Sequence, residues 1–501
     1  MSDSLPDRIS EIFNGSTIFI TGATGLVGKA LIDKILRYCD IKKIYILVRE
    51  KKGKLPNERV KELFSNVLFK KLLELDPNAP QKVTVIPGDV TELDLGISEE
   101  NRAILIKEVD YIIHSAATVR FNDSLKYAVT MNTRGTKFAL ELAEQCEHLK
   151  LFVHVSTAYA FPNQDEITFE KEYKAPGNPH EIMTSFNWLK EEAFTPELTK
   201  RLLGDIPNTY TYSKALTEAL VYEKVGKIPL IICRPAIVIP AFKDPIPGWT
   251  NNLQGPAGLF VGAGKGVIRS VYMDNKTYAN FAPIDCTVSA IMMFCWHYLS
   301  TKNSQYIFNV CMPQSDLQIT WEQILDTARE VVETRVPFNM MLWYPGGGPT
   351  KSRFYHRFRI ILFQIIPALL IDFLLLIVGQ KPALFAIQMR ILKGIETYEY
   401  YLTRPWNFET TSIETIRTKL NNRELENYQL QSETKDIKEY LTNCVLYCRR
   451  HLLKETDDML PAARRNMKIM YVLDKVAKGL FLYIVGYYLY KLFMILFSGV
   501  V

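Results

Sequence analysis

The chain of 501 residues has no secretory signal at its start, because Met1 to Ser10 carries charges and a proline where such a signal needs an apolar core. Export by that route is not expected. Repeats and low-complexity tracts are also missing, and a hydrophobic content of 48% is ample for a large core, so a globular chain of more than one domain is expected. The eight cysteines show no metal-type pairing, and a chain this long does not need disulfides, which points to a reducing, cytosol-facing setting and to no metal site. The net charge of +6 is spread over many short segments, without an arginine-rich helix or aromatic nucleic-acid motif, so no nucleic-acid partner is expected. Nor is there a P-loop. Gly264-Lys265 is followed by Gly266 rather than Ser or Thr.

What is present begins with Thr21-Gly22-Ala23-Thr24-Gly25-Leu26-Val27-Gly28, which joins the apolar run Thr17 to Ile20 to an amphipathic run through Leu36. That reads as strand, turn and helix. Glycines spaced Gly22-x-x-Gly25-x-x-Gly28 let the backbone turn tightly, approach a pyrophosphate and pack helix on strand, while the free helix N–H groups face the anion. Gly22, Thr24, Gly25, Leu26 and Gly28 are therefore candidate dinucleotide contacts. A second apolar run, Ile44 to Val48, ends in Arg49 with Lys51 and Lys52 behind, where an NAD enzyme usually carries an acid. Arg49 suits the 2′-phosphate of NADPH. A solvated basic turn beside Glu50 is the other reading.

Apolar strands and helical runs alternate as far as Ile113, which implies an α/β chain with a Rossmann-type doubly wound parallel sheet. Ligands in such sheets sit at the carboxyl ends of strands. The candidates there are Asp89 for the adenine amino group with Val90 beside it, Ala116 and Ala117 as small residues that admit the ribose, and Pro235. His114 reads as structural. The strand Leu151 to Val155 ends in Ser156-Thr157, and after an irregular insertion from Asn163 to Ile206 a helix opens with Tyr210 and Lys214, four apart on one face. A tyrosine hydroxyl of pKa about 10 is a poor proton donor at neutral pH, but a lysine ammonium beside it favours the phenolate and can also hold the nicotinamide ribose. Thr157 or Ser156 would orient the substrate oxygen, and the group together would protonate a carbonyl as hydride arrives at carbon. Tyr-x-x-x-Lys alone arises on many helices. Its place after the glycine turn and the Ser-Thr strand gives it weight.

Two apolar segments bear on membranes. Gly479 to Val501 is about the length needed to cross a bilayer and is broken only by Lys491, while Arg464, Arg465, Lys468, Lys475 and Lys478 precede it. It reads as a tail anchor with the main body cytosolic, or as an interfacial helix, because Lys491 is costly in mid-membrane unless it snorkels. Phe358 to Gly379 is also apolar, yet it contains Arg359, Gln364, Pro367 and Asp372, with Arg353, His356 and Arg357 just ahead. Asp372 argues against a simple span. A helix lying on the membrane surface with a basic rim and a buried core helix are the two readings.

These residues resemble the extended short-chain dehydrogenase/reductase superfamily and, within it, the eukaryotic fatty acyl-CoA reductases. The match runs through Thr21 to Gly28, His114-Ser115-Ala116-Ala117-Thr118-Val119-Arg120-Phe121, Asn132-x-x-Gly135-Thr136, His154 to Tyr159, Pro207 to Lys214, Pro247-Gly248-Trp249 and Leu460-Pro461-Ala462-Ala463-Arg464. The resemblance implies reduction of a long-chain fatty acyl-CoA to a primary alcohol through an aldehyde, with two NADPH. It assigns Tyr210 as proton donor, Lys214 as its partner, Thr157 or Ser156 as the orienting hydroxyl, and Asn132 as a support of the lysine's hydrogen bonds. It also implies membrane lipid around a peroxisomal or endoplasmic reticulum anchor, and leaves the oligomeric state open. The expected organisation is a reductase domain over 1–290, a substrate-side completion over 291–352, a helical region over 353–451 and a basic segment with anchor over 452–501. One departure is Ile437 ahead of Tyr440, where the family often carries tryptophan. A membrane-attached sterol or sugar-nucleotide dehydrogenase, and a catalytically idle dinucleotide-binding membrane protein, are the rival readings.

Overall fold

The computed structural model describes residues 5–163, 167–253, 255–301, 305–311, 319–430 and 436–497. Positions 498–501 of the apolar tail lie outside the described residues. The chain forms two compact units, each assembled from separated segments. Met1–Asn251, Tyr278–Gln318 and Pro405–Lys435 make the first, and Asn252–Thr277, Ile319–Arg404 and Asp436–Val501 the second.

The first unit is built on a sheet of seven strands: β1 Thr17–Thr21, β2 Lys43–Val48, β3 Val83–Pro87, β4 Tyr111–His114, β5 Leu151–Val155, β6 Leu230–Pro235 and β7 Ile307–Val310. All pair in parallel, in the order β7-β6-β5-β4-β1-β2-β3. Every residue of β1, β4, β5 and β6 is buried, as expected of a sheet covered on both faces, which is why these strands read as continuous apolar runs. The doubly wound expectation holds. Chain order reverses between β1 and β4, where Thr21 lies opposite His114, and that reversal opens the crevice in which such sheets bind ligands.

Five helices of this unit matter for the site: α1 Leu26–Tyr38, α2 Pro56–Phe64, α3 Gly135–Ala143, α4 Thr209–Tyr222 and α5 Ile284–Ser300. α1 turns Leu31, Ile32 and Ile35 inward, all fully buried. α4 starts at Asn208, whose side chain accepts from Thr211 N at 2.8 Å and fixes the first turn that carries Tyr210. Behind it lies a π-turn over Val129–Arg134 that leads into α3.

The second unit is mainly helical around a small core that includes Val261, Val332, Phe338, Cys448 and Met467. Its main helices are α6 Arg353–Ile377, which contains a π-turn at Ile361–Ile365, then α7 Leu384–Glu396 and α8 Leu460–Phe497. α6 is long and apolar enough to cross a membrane. It is not a buried core helix, because Leu369, Leu370, Phe373, Leu374 and Ile377 are exposed. α8 buries Ala463 and Met467, and Asp474 accepts from the Trp343 indole N–H at 2.8 Å. Beyond Val476 its large apolar side chains are exposed as far as Ile495.

Candidate active site

At the end of β1 the backbone of Gly22 has φ +74°, and a Cβ there would fall 2.7 Å from Ala116 N on the neighbouring strand end. Only glycine lets the two strand ends meet. A Cβ at Gly28 would fall 2.4 Å from Gly22 O, so the third glycine sets how closely α1 approaches the turn. Gly25 is the N-cap of α1 and supplies no side-chain acceptor, which leaves first-turn N–H groups directed at an anion, with Leu26 as the first helical residue. These residues fit a dinucleotide pyrophosphate.

The strand ends beside this turn carry the other cofactor candidates. Arg49 after β2 and Asp89 after β3 form an ion pair at 2.9 Å. Asp89 Oδ1 also accepts from Thr91 N and Thr91 Oγ1, both at 3.0 Å. Burial raises the Asp89 carboxyl, but those hydrogen bonds and Arg49 outweigh it and hold the group below its ordinary value. Arg59 on α2 was missed from sequence. Its guanidinium donates to Arg49 O at 2.6 Å and to Thr24 Oγ1 at 3.2 Å, so it bridges the glycine turn to the basic strand end. Lys51 is drawn below its ordinary value by burial and by Arg49, Arg59 and Arg120, which marks an excess of positive charge there. Arg49 is thus part of a cluster and not a lone solvated turn. Val90 is buried, with its carbonyl 2.9 Å from where a Cβ on Gly135 would sit. Ala116 N donates to Thr21 Oγ1 at 3.2 Å, and Ala117 follows it half-buried. Pro235 O accepts from Ala158 N at 2.9 Å, which ties the end of β6 to the residues after β5.

Lys214 Nζ donates to Val155 O at 2.7 Å, which fastens one face of α4 to the end of β5. Tyr210 lies one turn earlier on that face, stacked on Phe121 with ring centroids 5.7 Å apart. Burial drives the Lys214 ammonium down to about 8, against an opposing pull from Glu218. The two hydroxyl candidates separate here. Thr157 Oγ1 makes two long bonds, to Pro235 O at 3.4 Å and from Tyr159 N at 3.3 Å, whereas the Ser156 hydroxyl donates to Glu218 and is committed to that carboxylate. Glu218 and Arg234 form a fully buried ion pair at 2.6 Å, extended by Tyr222 to Arg234 at 2.9 Å. Neither charge was assigned a role from sequence. The available signal was Glu218 lying four residues after Lys214 on one helix.

Asn132 acts at one remove from the lysine. Its Nδ2 donates to Ser213 Oγ at 2.9 Å and its Oδ1 accepts from Thr118 N at 2.8 Å, so it braces the residue next to Lys214. His114 is structural, as read: both ring nitrogens bond hydroxyls, of Thr21 at 2.9 Å and Thr136 at 3.0 Å, and burial lowers it to about 3.

A doubly wound sheet with this glycine cradle and a lysine-pinned tyrosine helix defines a nicotinamide-dinucleotide-dependent oxidoreductase. Family models described as male sterility protein match residues 20–291 and 363–455. The chain is 34% identical to rat fatty acyl-CoA reductase 1 over 92% of its own length and 89% of that protein, and 33% identical to bovine fatty acyl-CoA reductase 2 over the same shares. The chain belongs to the eukaryotic fatty acyl-CoA reductase family. Its fold is also that of the terminal reductase domain from the myxalamid biosynthetic pathway, at TM-score 0.60 and 18% identity over 91% of this chain and 97% of that one. The reductase domain of a nonribosomal peptide synthetase from Mycobacterium tuberculosis superposes at TM-score 0.58, again 18% identical, over 91% and 98%. Family membership removes the catalytically idle reading.

Proposed function

We propose that the protein reduces a long-chain fatty acyl-CoA to the primary fatty alcohol with two NADPH, through an aldehyde and with release of CoA. The observation that carries this is the Lys214–Val155 bond, which sets the Tyr210 face of α4 at the end of the strand leading to Thr157. Gly22, Gly25, Leu26 and Gly28 would hold the pyrophosphate, Asp89 and Val90 the adenine side, Ala116, Ala117, Pro235 and Lys214 the nicotinamide ribose. Arg49, with Arg59 and Thr24, supports NADPH over NADH, because a 2′-phosphate would replace Asp89 as the partner of Arg49. Bound cofactor supplies a hydride to the carbonyl carbon in each of two reductions.

Thr157 donates to the thioester oxygen and orients it, and Tyr210 gives that oxygen its proton as charge develops there. The positive charge of Lys214 stabilises the phenolate left behind. In the resulting hemithioacetal the hydroxyl proton returns to the Tyr210 phenolate while the C–S bond breaks, giving aldehyde and CoA thiolate. The same tyrosine protonates the aldehyde oxygen in the second reduction and regains its proton from solvent. Ser156, Glu218 and Arg234 position the end of β5 and α4 without reaching the substrate.

The body faces the cytosol and is held to a peroxisomal or endoplasmic reticulum membrane by α8. Its described stretch after Lys478 spans about 28 Å at 1.5 Å per residue, close to the roughly 30 Å hydrocarbon core. The basic residues before it favour the cytosolic side. The test is NADPH oxidation by the purified full-length chain with and without palmitoyl-CoA, followed by product analysis. Two NADPH consumed per alcohol, with one free thiol, is the expected result. No aldehyde or alcohol with any acyl-CoA from short to very long chain overturns the reading.

A further inference from the structure

Asp372 argues from sequence against a simple span for its helix, and its place in the fold shows how the acid is accommodated. It is buried, and its carboxylate accepts from Ala383 N at 3.0 Å, Leu384 N at 2.9 Å and Phe385 N at 2.9 Å. It is the cap of α7. The chain reverses at Gly379, with φ +73°, so α6 and α7 form a hairpin in which Asp372, the acid within its apolar part, is satisfied internally by a helix start. A hairpin returns to the side it came from and is not a through-span. Along α6 the buried positions Gln364, Ala368 and Asp372 recur every fourth residue. The opposite stripe, Leu370, Phe373, Leu374 and Ile377, is exposed, as are Phe385, Ile387 and Met389 on α7. Such a face is unfavourable in contact with water.

Where the two helices diverge from this apolar face, they enclose a cavity of about 640 Å³. Arg353 and Arg357 line it from α6, Arg390 and Lys393 from α7, and Glu396 and Glu399 are the only carboxylates among its lining residues, leaving two positive charges in excess. Its floor carries Ser270 Oγ bonded to His356 Nδ1 at 2.9 Å. Among the described residues, Arg357, Arg390 and Lys393 make no carboxylate ion pair within 4.0 Å. Cations that make no short ion pair, in a concave site beside an apolar hairpin face, match an anionic group at the boundary between lipid headgroups and acyl chains.

We propose that the α6–α7 hairpin lies in one leaflet of an anionic membrane and that its basic cavity holds the phosphate of an anionic phospholipid. The apolar stripe rests on acyl chains. Arg357, Arg390 and Lys393 take the phosphate, with Arg357 and Arg390 offering forked donors and Lys393 a point charge. Lys381, at the turn, reaches the headgroup layer by its flexible stem. This is a second membrane contact, independent of α8 and of the chemistry at Tyr210.

The test takes the full-length chain in mixed micelles of detergent with equal phosphatidylcholine and phosphatidylserine, and counts co-purifying lipid by mass spectrometry. Phosphatidylserine is expected several-fold above its input ratio. The R357A/K393A double variant should lose at least half of that enrichment, R357K/K393R should keep it, and excess CoA should leave it unchanged. The charge-conserving variant separates loss of the site from loss of folding. Retention at the input ratio by the parent chain, or equal enrichment in R357A/K393A, overturns the proposal. Displacement of phosphatidylserine by CoA assigns the cavity to the CoA phosphates and overturns the lipid assignment as well.

Discussion

Two regions, the α4 side of the first unit and the α6–α7 hairpin of the second, treat charge in opposite ways. In the first, the charged groups on and beside α4 are buried with internal partners: Glu218 with Arg234 and Ser156, Lys214 with Val155 O. In the second, Arg357, Arg390 and Lys393 stand exposed around a cavity, and large apolar side chains stand exposed beside them. A buried charge without a partner costs several kcal/mol, so the first unit must complete its polar network within the fold. The second can leave its cations in water and present them to something the chain does not contain. On the proposed reading, the first region holds atoms still during a reaction and the second meets a surface.

Substitutions should separate these two designs, and the largest effect belongs to the catalytic face. Y210F should lower kcat by about 10²–10⁴-fold while NADPH still binds, as read by cofactor fluorescence. Full activity in that variant would remove Tyr210 from the chemistry. Next is R234M, which leaves the Glu218 charge buried without its cation. Removing one member of a buried pair costs about 3–5 kcal/mol, visible as a large drop in the thermal unfolding midpoint. R49A should come third, losing charge-assisted hydrogen bonds of roughly 1.5–3 kcal/mol. The ratio of kcat/KM for NADPH over NADH measures it, and an unchanged ratio would assign the 2′-phosphate elsewhere.

The pH dependence is smaller and has a defined sign. Burial lowers Lys214 to about 8, so the ammonium that supports Tyr210 is present below that pH and lost above it. The reductive kcat/KM should be level below about pH 8 and fall up to tenfold per unit above, and K214R should remove the fall because its guanidinium stays charged. Stability moves the other way. The unfolded chain holds that proton more tightly, so folding gains as pH rises from about 8 toward the ordinary lysine value. Smallest is F373Q on the exposed stripe of α6, which should shift unfolding in detergent by less than about 0.5 kcal/mol. A marked destabilisation there would mean that the stripe packs within the protein, and would erase the contrast between the units.

Much of the first unit was legible because it rests on local pattern. Six of the seven strands announce themselves as apolar runs, and the glycine turn and the Tyr210–Lys214 spacing need only neighbouring residues. β7 escaped notice, being four residues long and far along the chain from its partner β6. Arg59 escaped because its value depends on α2 folding back over Thr24. Ser156 and Thr157 were equivalent as adjacent hydroxyls at a strand end. They differ because Glu218 on α4 meets the Ser156 hydroxyl, while Thr157 turns to Pro235 O at the end of β6.

By itself the sequence determined the strand–turn–helix with its glycine cradle, the basic end of β2, the Tyr210–Lys214 spacing on α4 and the apolar character of α6 and α8. These follow from periodicity and from the few residues that can adopt a tight turn. Only the tertiary structure decided which hydroxyl is committed to a carboxylate, which charges are paired, and that Asp372 is a helix cap inside a hairpin. Those outcomes depend on groups remote in the chain. Arg234 meets Glu218 across a helix and a strand, and Asp372 meets the start of a helix that forms only after the chain has turned at Gly379.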